Sequence, residues 1–339
     1  MSIPLIDVAS LFGPECDARR AADQAIAQAA GATGFMTISG LPGTMPLGRS
    51  ARAALLQIFA LPEASKRKLW RRSFDPARPN LYRGYFPLQG GGATYKEGID
   101  MGPDIAHLAA LTNPADPLTE ATPLPPESEL PGWRHNACAY YLGMERLGQA
   151  IMRSLARSLD LTGTTFDAAF NGGISTLRLI RYPMREDSAL TQAEAAKAFI
   201  EHNGIRRQSI GGAHIDSGFV TLLAQDGVEG LQARARDGRW IDVPPAEGTL
   251  AVNFGGLLAR WTGGRIKATE HRVLSPGRER FSIPFFYEPR VDAVIRPLPG
   301  GPQFESFTYG DHLWSAMTKF IEFRDLKDLR KPHGVPAPS

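Results

Sequence analysis

Two textures divide the chain. Along residues 17–30, DARRAADQAIAQAA, and again between Trp133 and Leu159, apolar residues recur every three or four positions. In the second run Tyr141, Met144, Leu147, Ile151, Leu155 and Leu159 fall on one stripe, which predicts a long packing helix. From Ser175 onward the period shortens. STLRLIRYP, FVTLLAQD, GLQAR, RWIDVP, GTLAVNF, RIKATEHRVLS and RFSIPFFYEP are short β-rich runs, several of them separated by Gly, Asp or Pro turns. Such spacing predicts an antiparallel sandwich or barrel. Near the start, IPLIDV reads as a β-segment and GFMTIS (34–39) alternates like a strand. A further helical pattern covers 46–72 with a break at Leu61-Pro62, residues 73–131 read as irregular, and a last helix is expected over 310–323. The expected organisation is one compact unit: an N-terminal helical and strand region over 1–125, a β core with its long helix over 126–330, and a disordered tail over 331–339.

Composition narrows the function classes. With 339 residues, 43% hydrophobic and 22% charged, the chain can fill a sizeable core. A formal net charge of +3 leaves no electrostatic footprint for nucleic acid. The densest basic run, SKRKLWRR (65–72), reads as the solvated face of a helix. Two cysteines, Cys16 and Cys138, make neither a disulfide framework nor a cysteine-rich metal site, which fits a reducing compartment. No basic-then-apolar leader and no run of about 18 apolar residues is present, so the expectation is a cytoplasmic protein without a membrane partner.

Chemistry enters at GGAHIDSGFVTLL (211–223). In a strand, residues i and i+2 share a face, so His214 and Asp216 are expected to project together. His271, in another β-like run, follows after enough chain for three to four antiparallel strands, which brings it back beside them. Two imidazoles and one carboxylate on one side of an ion form the facial arrangement of non-haem iron(II) oxygenases. In RFSIPFF, Arg280 and Ser282 share a face in the same way. An inward guanidinium is costly without an anion, and a fork beside a hydroxyl suits a carboxylate such as the distal one of 2-oxoglutarate. Tyr182, in RLIRYP, shares its face with Ile180 and Arg178 and could donate to the same anion. Arg83, Tyr85, Arg178 and Phe286 are candidate substrate contacts by placement, and a basic group there would suit a carboxylate-bearing small molecule. His107, His135, His202, His312 and His333 show no ligand spacing; His202 lies nearest the site. The segment 184–210 joins the strands of Tyr182 and His214, and is expected to cover the site. A zinc hydrolase using the same three ligands, or a non-catalytic binding module, also accommodates the cluster. The hydrolase gives no use to an anion site at Arg280 and Ser282.

The H-x-D…H and R-x-S pattern, with IPLIDV, GFMTISGLPG, RGYFPL, YKEGIDMG, LRLIRYP and TYGDHL at corresponding places, resembles the isopenicillin N synthase-like branch of the iron(II)/2-oxoglutarate-dependent dioxygenases. The resemblance covers about residues 3–325. It implies a mainly β fold with flanking helices around a double-stranded β-helix (jelly roll). It further implies iron(II) on His214, Asp216 and His271; 2-oxoglutarate on Arg280, Ser282 and Tyr182; and dioxygen as oxidant in hydroxylation, desaturation or cyclisation of a metabolite. Ile180 stands where many 2-oxoglutarate-using members carry Asn, and L-I-R-Y-P resembles isopenicillin N synthase. The alternative is therefore an oxidase that omits 2-oxoglutarate and uses R-x-S for its substrate.

Overall fold

The alternating runs become strands that curl into a roll. The structure, a computed structural model, describes residues 2–90, 93–107, 115–320 and 323–335. In chain order the strands are β1 Leu5–Asp7, β2 Phe35–Ser39, β3 Gly84–Gly90, β4 Tyr95–Met101, β5 Thr176–Tyr182, β6 Phe199–His202, β7 Ile205–His214 and β8 Val220–Gln225. They continue with β9 Leu231–Arg234, β10 Trp240–Asp242, β11 Leu250–Phe254, β12 His271–Leu274, β13 Arg280–Tyr287, β14 Val294–Ile295 and β15 Phe307–Thr308. The helices are α1 Asp17–Ala32, α2 Arg49–Leu56, α3 Glu63–Lys68, α4 Trp133–Ser158, α5 Asp167–Phe170, α6 Gln192–Ala198, α7 Gly256–Trp261 and α8 Tyr309–Met317.

One sheet runs β1-β2-β11-β8-β13-β5-β4-β3 and a second runs β10-β9-β12-β7-β6. The two form the curled, jelly-roll core with flanking helices. Alternation divides each strand of the larger sheet between two environments. Leu177 and Leu179 of β5, Leu222 of β8, Val252 of β11 and Phe285 of β13 join the main core, together with Leu147 and Ile151 of α4. Residues of opposite parity face the roll's interior. There Phe35, Ile180, Tyr182 and Ala251 pack with Ile210, Leu231, Ala233 and Val273 of the smaller sheet. The inner apolar cluster is the smaller one, which leaves interior wall for polar side chains.

Residues 1–125 contribute four strands to the larger sheet, two at each edge. β3 and β4 lie inside the stretch read from sequence as irregular. Pro87 and the Gly residues obscured them; Pro87 is tolerated because β3 is an edge strand, with a register shift between Phe86 and Gln89. Gly98 of β4 is needed because the Phe86 ring and the Leu179 carbonyl crowd its Cα. The basic run 65–72 is not wholly a solvated face: Lys66 and Arg71 are buried, each beside a carboxylate of β4. The α-helix in segment 184–210, α6, is short and closed at its N-terminus by a capping box between Thr191 and Glu194. The segment then forms the β6–β7 hairpin, and α6 ends at Ala198. The last helix is shorter than expected, Tyr309–Met317. Of the tail expected to be disordered, residues 336–339 lie outside the described residues. The part before them is tied down: the backbone N–H groups of His333 and Gly334 donate to Asp311.

Candidate active site

β7 ends on His214 and β12 begins on His271, and the two residues lie opposite one another in the ladder. Their ring centroids are 4.3 Å apart. Asp216 lies beyond the last residue of β7, so the turn, not the strand pleat inferred from sequence, swings its carboxylate back beside the rings. Asp216 Oδ1 is 3.6 Å from His214 Nε2 and 3.8 Å from His271 Nε2. One ligand atom from each residue lies within 4.8 Å of the others, and no other group of three His, Cys, Asp or Glu among the described residues does this.

The surroundings orient each donor. Asp216 Oδ2 accepts from the Thr221 hydroxyl (2.6 Å) and the Asn253 amide (2.7 Å), which leaves Oδ1 toward the imidazoles. His214 Nδ1 lies 2.8 Å from the Gly212 carbonyl and His271 Nδ1 3.2 Å from that of Thr269. A carbonyl partner requires Nδ1 to carry the proton, so both Nε2 lone pairs point at the cluster. Burial lowers the His271 pKa below the ordinary imidazole value and keeps the ring neutral. Burial alone would raise the Asp216 carboxyl, yet the neighbouring His271 and His214 side chains and the Thr221 hydroxyl hold it well below the usual range. Neutral imidazoles and an ionised carboxylate are the protonation states a divalent cation requires. The donor set fits iron(II), and His214, 44% exposed, leaves the cluster open on one side.

Deeper in the roll, Arg280 is 0% exposed. Its Nη2 donates to Gln225 at 3.3 Å, while Nε and Nη1 have no hydrogen-bond partner among the described residues. Tyr182 stands opposite on β5, its ring centroid 5.2 Å from the guanidinium carbon, and Ser282 follows on the same inner face. Burial pulls the Arg280 pKa down, and Tyr182 offsets part of that effect. An orphaned buried fork beside a hydroxyl is a cradle for a carboxylate.

Toward the other end of β13, Phe286 and Arg178 line the same face, the guanidinium carbon 5.4 Å from the ring centroid. Arg83 is fully buried: Nη1 donates to Thr176 at 2.5 Å and Nη2 to the Ile174 carbonyl at 2.7 Å, while Nε has no hydrogen-bond partner among the described residues. Tyr85 corrects the sequence reading. By alternation along β3 it faces the opposite side of the sheet, where its hydroxyl bonds Glu97 and its ring lies 6.3 Å from Phe59. His202, the histidine nearest the site in sequence, lies 3.5 Å from Asp242 instead. Sequence reasoning missed Asp100, Arg71, Thr221, Asn253 and Gln225. The period of two in GTLAVNF and FVTLLAQD puts Asn253, Thr221 and Gln225 inside, so three of them carried a readable signal.

A jelly roll holding two histidines and an aspartate, with a buried arginine fork on its inner wall, defines a non-haem metal oxygenase. Comparison with known proteins specifies it further. Residues 175–289 match the 2OG-Fe(II) oxygenase superfamily, and residues 3–125 match the N-terminal region described as "non-haem dioxygenase in morphine synthesis". The 2-oxoglutarate-Fe(II) type oxidoreductase hxnY of Emericella nidulans is 31% identical over 312 residues, covering 87% of this chain and 82% of that protein. Isopenicillin N synthase of Streptomyces clavuligerus is 27% identical over 328 residues, covering 94% and 95%. Among solved structures, a full-length Neurospora crassa protein in complex with alpha-KG has a TM-score of 0.74 at 26% identity, covering 92% of this chain and 94% of that one. The chain belongs to the 2OG-Fe(II) oxygenase superfamily. It is an oxidoreductase that works with iron(II), 2-oxoglutarate and dioxygen. Among the described residues no helix is long and apolar enough to cross a membrane.

Proposed function

We propose that this oxygenase oxidises a small carboxylate-bearing molecule, with His214, Asp216 and His271 holding the iron and Arg280, Ser282 and Tyr182 holding the distal carboxylate of 2-oxoglutarate. The observation that carries the reading is Arg280: a fully buried guanidinium on the inner wall of the roll, with two nitrogens unpartnered among the described residues. A buried cation is stabilised by an anion of matching shape. When bound, the metal and cosubstrate supply the activation of dioxygen. The protein's share is positional. Thr221 and Asn253 fix the carboxylate of Asp216, the Gly212 and Thr269 carbonyls fix the imidazoles, and three donors on one side leave the remaining positions to exchangeable ligands. Arg178 and Phe286 offer the substrate a cation and an apolar face on the same wall. A small-molecule substrate is supported by the Neurospora crassa protein, whose structure is also known in complex with alpha-KG and 5-formyluracil at 25% identity.

The test is the ratio of succinate formed to oxygen consumed with the true substrate, found by screening carboxylate-bearing metabolites for stimulated 2-oxoglutarate turnover. A ratio near one is expected. Oxygen uptake with no succinate and no dependence on 2-oxoglutarate would overturn the reading and make Arg280 an anchor for substrate.

A further inference from the structure

We infer that the protein carries a second binding site outside the roll: an arginine-lined cavity between the N-terminal turn and α4 that takes a small phosphorylated molecule, its phosphate on Arg146, Arg153 and Arg157 and its apolar body on Phe12. The inference goes beyond the oxygenase reading and uses none of the residues assigned to iron, cosubstrate or substrate.

The cavity measures about 260 Å³ and lies where the single turn Ala9–Phe12 and the start of α1 meet α4. Arg19, Arg146, Arg153 and Arg157 line it beside the apolar Leu11 and Phe12, and among the described residues no Asp or Glu does. By helical period Arg146, Arg153 and Arg157 share one face of α4. Leu147, Ile151 and Leu155 lie on the opposite flank, in the main core. Like charges stacked on one helix face repel one another, so the stripe needs counter-charges.

Two of the three have one. Arg157 donates through Nε and Nη2 to Asp23 of α1, both at 2.6 Å. Arg153 donates through Nε and Nη2 to Asp167 of α5, at 3.0 and 2.6 Å. These side-on pairs fix the planes of both guanidinium groups. They leave Nη1 of each with no hydrogen-bond partner among the described residues. Arg157 also lies in the last turn of α4, where a cation suits the carbonyl end of the helix. Arg146, in mid-helix, has neither reason. Among the described residues it pairs with no carboxylate, and it stands over the Phe12 ring at 5.6 Å. Arg19 adds a fourth cation from α1, held loosely at 3.8 Å from the exposed Glu15 and 3.5 Å from the Gly13 carbonyl. A phosphate monoester carries close to two charges and three acceptor oxygens, so it can accept from several guanidinium groups at once. A carboxylate brings one charge and two oxygens, and would leave most of these cations unanswered. Phe12 and Leu11, both half-buried, give the body bonded to the phosphate an apolar wall.

The test uses binding rather than turnover. Full-length protein, loaded anaerobically with iron(II) and saturated with 2-oxoglutarate, is titrated calorimetrically with phenyl phosphate at constant ionic strength set by chloride. Saturable binding to a single site is expected. Phenyl sulfate has nearly the same shape and one charge fewer, and should bind about tenfold more weakly. Arg146→Gln should weaken phenyl phosphate binding about tenfold or more, the size carried by a charge-assisted hydrogen bond. Arg146 is exposed and without an ion pair among the described residues, so the variant should keep the wild-type melting temperature. Arg153→Lys keeps the charge but loses the fork, and should weaken binding about fivefold or more. Arg20→Gln is the control: it removes a cation of α1 that does not line the cavity, and affinity should stay within about twofold. Phosphate held by the iron or inside the roll would be blind to Arg146, so an unchanged affinity in Arg146→Gln overturns the inference. Absence of binding, equal affinity for phenyl sulfate, an unchanged affinity in Arg153→Lys, or an equal loss in Arg20→Gln would each overturn it as well.

Discussion

Arg280 and Tyr182 face one another across the β13–β5 ladder, and the guanidinium donates through Nη2 to Gln225. Their relation makes the cosubstrate end of the site testable by itself. Arg280→Leu removes a charge-assisted bond, typically worth about 1.5–3 kcal/mol, so half-saturation by 2-oxoglutarate should rise roughly 10- to 100-fold. Affinity for iron(II), measured by anaerobic titration, should stay within about twofold, because the three donors are untouched.

The donors themselves should separate by their surroundings. His214→Ala, Asp216→Ala and His271→Ala are each expected to lose tight iron(II) binding and turnover. Thermal melts of the metal-free proteins should differ. Asp216→Ala strands the Thr221 hydroxyl and the Asn253 amide and should cost about 1–3 kcal/mol. His214→Ala removes a half-exposed side chain and should cost no more than about 0.5 kcal/mol. Full activity in any of the three would remove that residue from the metal shell.

Glu288 sets a pH dependence of stability. Burial pushes its carboxyl from 4.5 up to about 7, although Tyr309, Arg83 and Thr176 act in the opposite direction. The folded state therefore holds a proton that the unfolded chain has released. The stabilisation is complete below the unfolded value, declines as pH rises from about 4.5 to about 7, and is absent above that, a span of about 3 kcal/mol. Denaturation midpoints of Glu288→Gln across this window should lose that component of the slope relative to wild type. Parallel curves would show that Glu288 is ionised throughout.

Gly148 sits where α4 crosses the end of β13. An added Cβ would lie 2.5 Å from Tyr287 Cγ and 3.0 Å from its Cβ. The ring cannot yield easily, because it stacks on Phe170 at 4.8 Å and 15°. Alanine gains about 1 kcal/mol in helix propensity, but overpacking typically costs about 1–3 kcal/mol and usually exceeds it. Gly148→Ala should melt lower than wild type. A higher melting temperature would mean that the helix shifts freely on the sheet.

Periodicity carried the architecture far because the roll has two distinct faces, and a period of two separates them without knowledge of pairing. The same rule placed Arg280, Ser282 and Tyr182 on one wall. It also put Tyr85 among the substrate contacts, since the sequence does not say which parity of β3 faces inward; the pairing with β4 decides that. For His214 and Asp216 the geometric reason was different from the one inferred, because strand ends are invisible to periodicity. Arg71 and Asp100 could not be read at all. Their meaning lies in a contact between β5 and two elements of the N-terminal region, one of them hidden in the stretch that looked irregular. Only the sheet order brings those three together.

The strands near the edge of the larger sheet carry a consequence for how the molecule is made. β2 takes its partner β11 from roughly 200 residues further along the chain, so on a ribosome adding about 5–20 residues each second it waits roughly 10–40 seconds for that partner. During that interval FMTIS can pair with β1 on one side only, and its other side presents an apolar strand with free backbone groups, a form prone to pair with a neighbouring chain. Yield of the folded enzyme during rapid expression should therefore depend on what shelters the first forty residues until the second half arrives, and slower synthesis or an added holdase should raise it.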